Sequence, residues 1–210
     1  MEHLIETREG WWWPKHDVAC WRYLSRRQDV PKNVSAYSEQ KRVVVQAGGN
    51  AGMYVKMYED IFDTIYTFEP DPINFYCLTK NTSTKTIKFQ SCLGNVPNFV
   101  NLSYDEVHHK KPNCGGYRVK GDGDIPTLIL DNLNLPVVDL IHLDIEGFER
   151  FALLGAIETI KRCKPIVALE LNGLAEKYNH TDNDVKTLMT SLGYNEIGIV
   201  DDDAIFKFNG

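Results

Sequence analysis

Between Arg42 and Pro70 the chain reads RVVVQAGGNAGMYVKMYEDIFDTIYTFEP. A β-branched run, Val43-Val44-Val45, turns through Gly48-Gly49-Asn50-Ala51-Gly52, and the apolar residues then take up helical spacing. A second apolar run, Ile65-Tyr66-Thr67-Phe68, closes on Glu69-Pro70. Strand, glycine turn, helix, strand and acid make a βαβ unit. In such units the first turn lets a ligand approach the backbone, and an acid ending the second strand is placed to accept ribose hydroxyl protons. The stretch therefore predicts a nucleoside-cofactor site.

Glycine spacing narrows the cofactor. A dinucleotide fingerprint needs glycines at i, i+2 and i+5. Counted from Gly48 those positions hold Asn50 and Met53, and counted from Gly49 they hold Ala51 and Tyr54. The spacing that fits is G-x-x-x-G, Gly48 to Gly52.

With 210 residues the chain is long enough for one sizeable core and short for two, so one domain with an N-terminal extension is expected. A formal net charge of -6 gives no electrostatic reason to expect nucleic acid or an anionic membrane as partner. The basic pairs Arg26-Arg27 and Lys110-Lys111 are short and read as solvated surface. Cys20, Cys77, Cys92, Cys114 and Cys163 are scattered and odd in number, which opposes both a disulfide framework and a zinc site. The start, Met1-Glu2-His3-Leu4-Ile5-Glu6, lacks the basic and apolar regions of a signal peptide, and no apolar run reaches membrane-spanning length. The expectation is a cytoplasmic protein.

Residues 1–41 hold all four tryptophans, Trp11, Trp12, Trp13 and Trp21, and a helix is expected over Asp17 to Arg27. These aromatics pack the extension onto the domain, or they form an aromatic lid over the cofactor mouth. Further along, Pro72 to Lys80 reads as a helix with proline in its first turn, and Thr86 to Ser91 as a third strand. Residues 95–124 carry Pro97, Pro112, Gly115-Gly116 and Gly121-Asp122-Gly123-Asp124, and read as a long irregular binding loop. Within it His108-His109 make a poor metal pair, and Asp122 and Asp124 lack the spacing and closing glutamate of a calcium loop.

Ile125 to Leu135 reads as a short helix before Pro136. Val137 to Asp144 is a mostly apolar strand, and a helix follows from Gly147 to about Cys163, so Asp144, Glu146 and Glu149 gather where strand gives way to helix. Glu149 suits a helix start. Asp144, at a strand tip, faces the crevice where open α/β sheets bind ligands. A buried strand over Pro165 to Leu171 ends in Glu170-Leu171-Asn172, a helix spans Asp184 to Leu192, and Tyr194 to Val200 with Ala204 to Phe208 form a terminal hairpin.

Taken together these segments resemble the FkbM-like methyltransferases, within the class I S-adenosylmethionine-dependent superfamily. The family's D-x-G-A-N-x-G turn is matched by Gln46-Ala47-Gly48-Gly49-Asn50-Ala51-Gly52, and its F-E-P by Phe68-Glu69-Pro70. Its T-x-x-L-D segment is similar to Thr127-Leu128-Ile129-Leu130-Asp131, and its D-x-E-G-x-E falls on Asp144, Glu146, Gly147 and Glu149. Its L-x-G-A and P-x-x-x-x-E segments resemble Leu153 to Ala156 and Pro165 to Glu170. One position departs: Gln46 stands where the family carries an acid, so a contact to the methionine amino group would lose its charge while keeping a carbonyl acceptor.

The resemblance covers Arg42 to Glu170. It implies an α/β fold with a Rossmann-like, mostly parallel sheet, a C-terminal antiparallel hairpin and helices on both faces, spanning residues 42–210 behind the extension 1–41. It also implies S-adenosyl-L-methionine held by Gln46, Gly48, Gly49, Asn50, Gly52 and Glu69, with Ser91 and Cys92 at the adenine edge. The reaction it implies is O-methylation of a hydroxyl on a sugar or small metabolite.

Such a transfer needs an in-line nucleophile and a base. Asp144 is the first candidate, Glu146 the second, and His142, two residues before Asp144 on the strand, the third. A metal-assisted variant would hold Mg²⁺ with Asp144, Glu170 and Asn172. A nicotinamide oxidoreductase is opposed by the glycine spacing and the terminal hairpin, and a non-catalytic nucleoside-binding module would account for Gln46. Neither the acceptor nor the oligomeric state is written in any residue.

Overall fold

The computed structural model describes residues 1–104 and 111–210; His108, His109 and Lys110 lie outside the described residues. The extension opens with an antiparallel pair, β1 (Ile5–Arg8) and β2 (Trp11–Pro14), so three of the tryptophans belong to a strand. Two short helices follow, α1 (Cys20–Leu24) and α2 (Val30–Ser35). The helix expected over Asp17 to Arg27 is shortened because the Asp17 carboxylate accepts the N–H groups of Cys20 (3.0 Å) and Trp21 (2.9 Å) and holds the preceding residues outside it.

The opening unit is β3 (Val43–Ala47), α3 (Met53–Glu59) and β4 (Thr64–Phe68). Asp71 then caps α4 (Pro72–Asn81) by accepting from the N–H groups of Ile73 and Asn74. Next come β5 (Thr86–Phe89), β6 (Cys92–Leu93), β7 (Asn98–Tyr104), β8 (Tyr117–Leu128) and β9 (Leu140–Leu143). The chain finishes with α5 (Glu149–Leu154), α6 (Ile157–Cys163), β10 (Ile166–Glu170), α7 (Asp182–Ser191), β11 (Tyr194–Val200) and β12 (Asp203–Phe208).

Seven strands form one sheet in the order β11-β12-β10-β9-β3-β4-β5. The five strands from β10 to β5 run parallel, and β12 runs antiparallel to both β10 and β11, as the terminal hairpin requires. Both faces are covered, because successive residues of a strand point to opposite sides. Val45, Ile141, Leu143, Val167 and Leu169 pack with Leu153 of α5, Ile160 of α6 and Met189 of α7. On the other face Val44, Leu140, Ala168 and Ile205 pack with Val34 of α2 and Val55 and Tyr58 of α3. A third cluster joins Ile5, Trp13 and Cys20 of the extension to Met53, Cys77 and Cys114.

Four further expectations are corrected. Residues 95–124 are largely a ribbon: β7 and β8 pair antiparallel, and β8 also pairs parallel with β6. Buried positions are sparse along this ribbon and do not alternate, so the pattern that marks a half-buried strand is missing. Gly123 belongs there because a side chain would meet the Val100 carbonyl oxygen at 2.5 Å. The helix expected over Ile125 to Leu135 begins as the end of β8, with only a 3-10 turn at Leu130–Leu133. The single helix expected after Gly147 is two. Gly155 lies against the Gly94 backbone, and Asp131 starts α6 afresh by accepting from the N–H groups of Glu158 (3.0 Å) and Thr159 (2.8 Å). The third strand also stops at Phe89 rather than Ser91.

Candidate active site

A cavity of about 650 Å³ opens at the carboxyl ends of β3, β4, β9 and β10. Its floor is the glycine turn. The N–H groups of Gly48 and Gly49 both donate to the Phe68 carbonyl at 3.0 Å, which bends the chain sharply across the top of β4. Gly48 takes φ +83°, and a Cβ there would lie 1.8 Å from the Asp144 carbonyl oxygen, so only glycine lets β3 and β9 close at this point. Asn50, at φ +48°, and Gly49 also line the cavity, whereas Gly52, at φ +91°, packs against Leu78 of α4.

Glu69 is buried beside this turn. One carboxylate oxygen accepts the Asn50 N–H at 2.7 Å and the other accepts the Asp71 N–H at 2.8 Å. Burial pushes its carboxyl up to about 8. Two polar atoms in the same region have no hydrogen-bond partner among the described residues: Ser91 Oγ and Asn74 Oδ1, on residues 1% and 2% exposed. Both residues line the cavity, as does Cys92. Burial pushes the Cys92 thiol up to about 12, which makes it a wall and not a nucleophile at neutral pH. A backbone cradle, a buried carboxylate and two unpartnered polar atoms are the groups a nucleoside would satisfy.

Across the cavity Asp144 follows β9 and Glu170 ends β10, and the two side chains are hydrogen-bonded. The parallel register, Leu143 opposite Leu169, brings these strand ends together. Glu170 is held well above the usual carboxylate range by the Asp144 charge and then by burial, and Asp144 is itself raised by burial and by Asp203. The two carboxyls therefore share one proton between them. Glu146, at φ +58°, and Asn172 also line this side. The Asn172 side chain accepts the Leu174 N–H at 3.1 Å.

Two expected site residues, Gln46 and His142, lie away from the cavity, as Gly52 does. Gln46 is buried behind the turn. Its amide nitrogen donates to the Ala47 and Gly48 carbonyls at 3.2 and 2.9 Å, and its oxygen accepts from Thr67 Oγ1 at 2.8 Å. Its polar atoms are therefore occupied in bracing the turn from beneath. His142 is buried on β9, between the Tyr58 hydroxyl (2.7 Å) and an Asp203 carboxylate oxygen (3.0 Å), so both ring nitrogens are engaged inside the core. Glu149 accepts the N–H groups of Ile145 and Gly147 and ties the strand-to-helix junction from within. For the Mg²⁺ alternative, no cluster of three or more His, Cys, Asp or Glu among the described residues is arranged to hold a metal. Likewise, among the described residues no helix is long and apolar enough to cross a membrane.

Sequence reasoning missed several wall residues. Asn74 sits in the first turn of α4, where a polar residue facing Glu69 was available as a signal. Tyr54, Tyr117 and Phe148 line the cavity from α3, from β8 and from the turn before α5, and only the tertiary fold brings them together.

Residues 46–196 match the family model described as the methyltransferase FkbM domain. Among solved structures, a TehB-like SAM-dependent methyltransferase from Corynebacterium glutamicum superposes with TM-score 0.52 at 13% identity, covering 90% of this chain and 94% of that one. Precorrin 8w decarboxylase from Methanobacterium thermoautotrophicum gives 0.51 at 13% identity, covering 86% of this chain and 90% of that one. Methyltransferase FkbM from Methylobacillus flagellatus gives 0.49 at 18% identity and covers 80% of this chain, which spans only 44% of that protein. The first two likenesses are of fold. No curated protein matches the chain.

Proposed function

This chain belongs to the FkbM methyltransferase family, a group of S-adenosylmethionine-dependent enzymes, and we propose that it methylates a hydroxyl on a small molecule or glycan. The observation that carries this reading is that one cavity joins a nucleoside-type wall, with the Ser91 and Asn74 atoms that find no partner among the described residues, to the Asp144–Glu170 carboxyl pair.

Glu69 would accept from ribose hydroxyls, the turn from Gly48 to Asn50 would lie against the methionine portion, and Ser91, Cys92 and Asn74 would meet the base edge. S-adenosylmethionine, when bound, supplies an electrophilic methyl group on sulfur. Asp144 then has two tasks. Its free carboxylate oxygen orients the acceptor hydroxyl and takes its proton as the oxygen becomes nucleophilic. The Glu170 carboxyl keeps Asp144 ionised by donating to it, and burial strengthens that bond. Glu146 stands beside Asp144 in the cavity wall as a second acceptor for the substrate.

Calorimetric titration with S-adenosylhomocysteine and with NAD, followed by methyl transfer to a panel of hydroxyl compounds, tests the reading. The expected result is binding of the first ligand and transfer that Asp144→Asn abolishes without loss of that binding. Binding of NAD alone would refute it. Ligand binding without transfer to any acceptor would instead favour a nucleoside-binding module.

A further inference from the structure

The family match begins at residue 46, yet the cavity has a wall that precedes it. Ala19, Cys20, Tyr23 and Leu24 line the cavity from α1. This segment is fastened at both ends in ways that differ physically. At one end the Asp17 carboxylate, fully buried, accepts from Trp13 Nε1 (2.8 Å) and from the N–H groups of Trp21 (2.9 Å), Cys20 (3.0 Å) and Cys114 (3.1 Å). The N–H groups of Val18 and Ala19 add bonds to the Pro112 carbonyl at 2.8 and 3.0 Å. Beyond the segment, Val30 and Val34 of α2 are buried in the core.

Between these anchors the only ties to the C-terminal hairpin that the hydrogen bonds and ion pairs of the described residues provide are polar and solvent-facing. The Tyr23 hydroxyl donates to Asp202 at 2.9 Å, Arg27 pairs with Asp201 at 2.9 Å, and the guanidinium lies 3.8 Å over the Tyr23 ring. The Arg27, Asp201 and Asp202 side chains are 32%, 27% and 58% exposed. Exposed ion pairs are weak and screened by salt, whereas a buried carboxylate stripped of its donors is costly to leave. Of the two attachments, the one at Tyr23 and Arg27 gives way first.

We propose that residues 18–27 form a strap that closes the ligand cavity, anchored at Asp17 and at α2 and latched reversibly by Tyr23 and Arg27 on Asp201 and Asp202. Release of the latch lets the segment beyond the anchored residues, 22–27, bow outward and opens the cavity at Tyr23 and Leu24. The strap depends on the methyltransferase reading only for the identity of the ligand.

Stopped-flow binding of S-adenosylhomocysteine, followed by tryptophan fluorescence, compares wild type with the double variant Tyr23→Phe/Arg27→Ala. Association and dissociation should both quicken by about tenfold in the variant, leaving Kd within about threefold. Raising salt from about 0.05 to about 0.5 M should quicken the wild type and leave the variant unchanged. Unchanged rates overturn the strap, and so does faster dissociation alone, which would mean that Tyr23 only contacts the ligand. Hydrogen exchange on the ligand-free protein probes the latch directly: the Tyr23 and Ser25 amides, beyond the anchor, should open faster in the variant while the Cys20, Trp21 and Cys114 amides, held by Asp17, stay protected. Exchange that is unchanged, or raised equally at both places, overturns the proposal. A wild type that binds no S-adenosylhomocysteine would refute the methyltransferase reading, and hydrogen exchange would still decide the strap.

Discussion

Asp144 and Glu170, at the tips of neighbouring parallel strands, are hydrogen-bonded to one another through their side chains. Two ionised carboxylates cannot make that bond, because each offers only acceptors. The pair holds one proton, and the Asp144 charge with burial pushes Glu170 up to about 11, so the proton persists across the neutral range. The fields on it come from Asp202 and Asp203, from Glu146 and Glu149 at the α5 start, and from His142 beneath. Glu170→Gln keeps a donor opposite Asp144 and should retain transfer within about tenfold, whereas Glu170→Ala should lose about a hundredfold or more. Infrared spectra at about pH 9.5, above Glu69 and Glu149, which are both raised to about 8, should show a protonated carboxyl band in wild type that Glu170→Gln removes.

In the proposed site, Glu69 is expected to make cofactor binding depend on pH. Hydroxyl donors favour its ionised form, so affinity should rise with pH through about 8 and then level off. Glu69→Gln should bind about tenfold or more weakly and flatten that rise. Stability moves the other way. The folded-state value is raised, so the contribution to stability is full below the ordinary glutamate value and is lost as pH climbs from there to about 8. Thermal melts of the ligand-free protein between pH 5 and 9 should record the fall, with Glu149 adding to it in the same window.

Restoring the family's acid at position 46 should harm this protein. The Gln46 amide donates to two carbonyls, and a carboxylate there would face both as a third acceptor. Gln46→Glu should lower stability by about 1–3 kcal/mol in urea denaturation, with no gain in affinity for S-adenosylhomocysteine. A tighter-binding variant of unchanged stability would overturn this account of the turn.

His142 is predicted to serve the core. Replacing it with Phe strands the Asp203 carboxylate and the Tyr58 hydroxyl in the interior, so stability should fall by about 3–5 kcal/mol. Transfer per folded molecule should stay within about fivefold. A collapse of kcat at full stability would make His142 a catalytic candidate again.

Much of this architecture follows from local rules. Val43 to Ala47, the glycine turn and Phe68-Glu69-Pro70 are legible because strand alternation, turn chemistry and helix spacing act over a few residues. The same holds for Asp144 at a strand tip and for the terminal hairpin. The ribbon of β7 and β8 was illegible because its few buried positions do not alternate, so no apolar alternation marks it. The division between α5 and α6 was hidden too, since it depends on Gly94 and Asp131, far away in the chain.

The sequence by itself determined the opening strand-turn-helix-strand unit, the terminal hairpin, the glycine-bound floor of the cavity and the acid that follows β4. Only the tertiary structure decided which polar groups face a ligand and which face the core. Gln46 turns inward to Thr67, His142 turns to Asp203, and Asp144 meets Glu170 across two strands. Only the tertiary structure, too, laid residues 18–27 over the cavity from outside the family domain. The physical reason is range: turn and helix signals are properties of neighbouring residues, whereas a shared proton or a cavity wall exists only between groups that folding brings together.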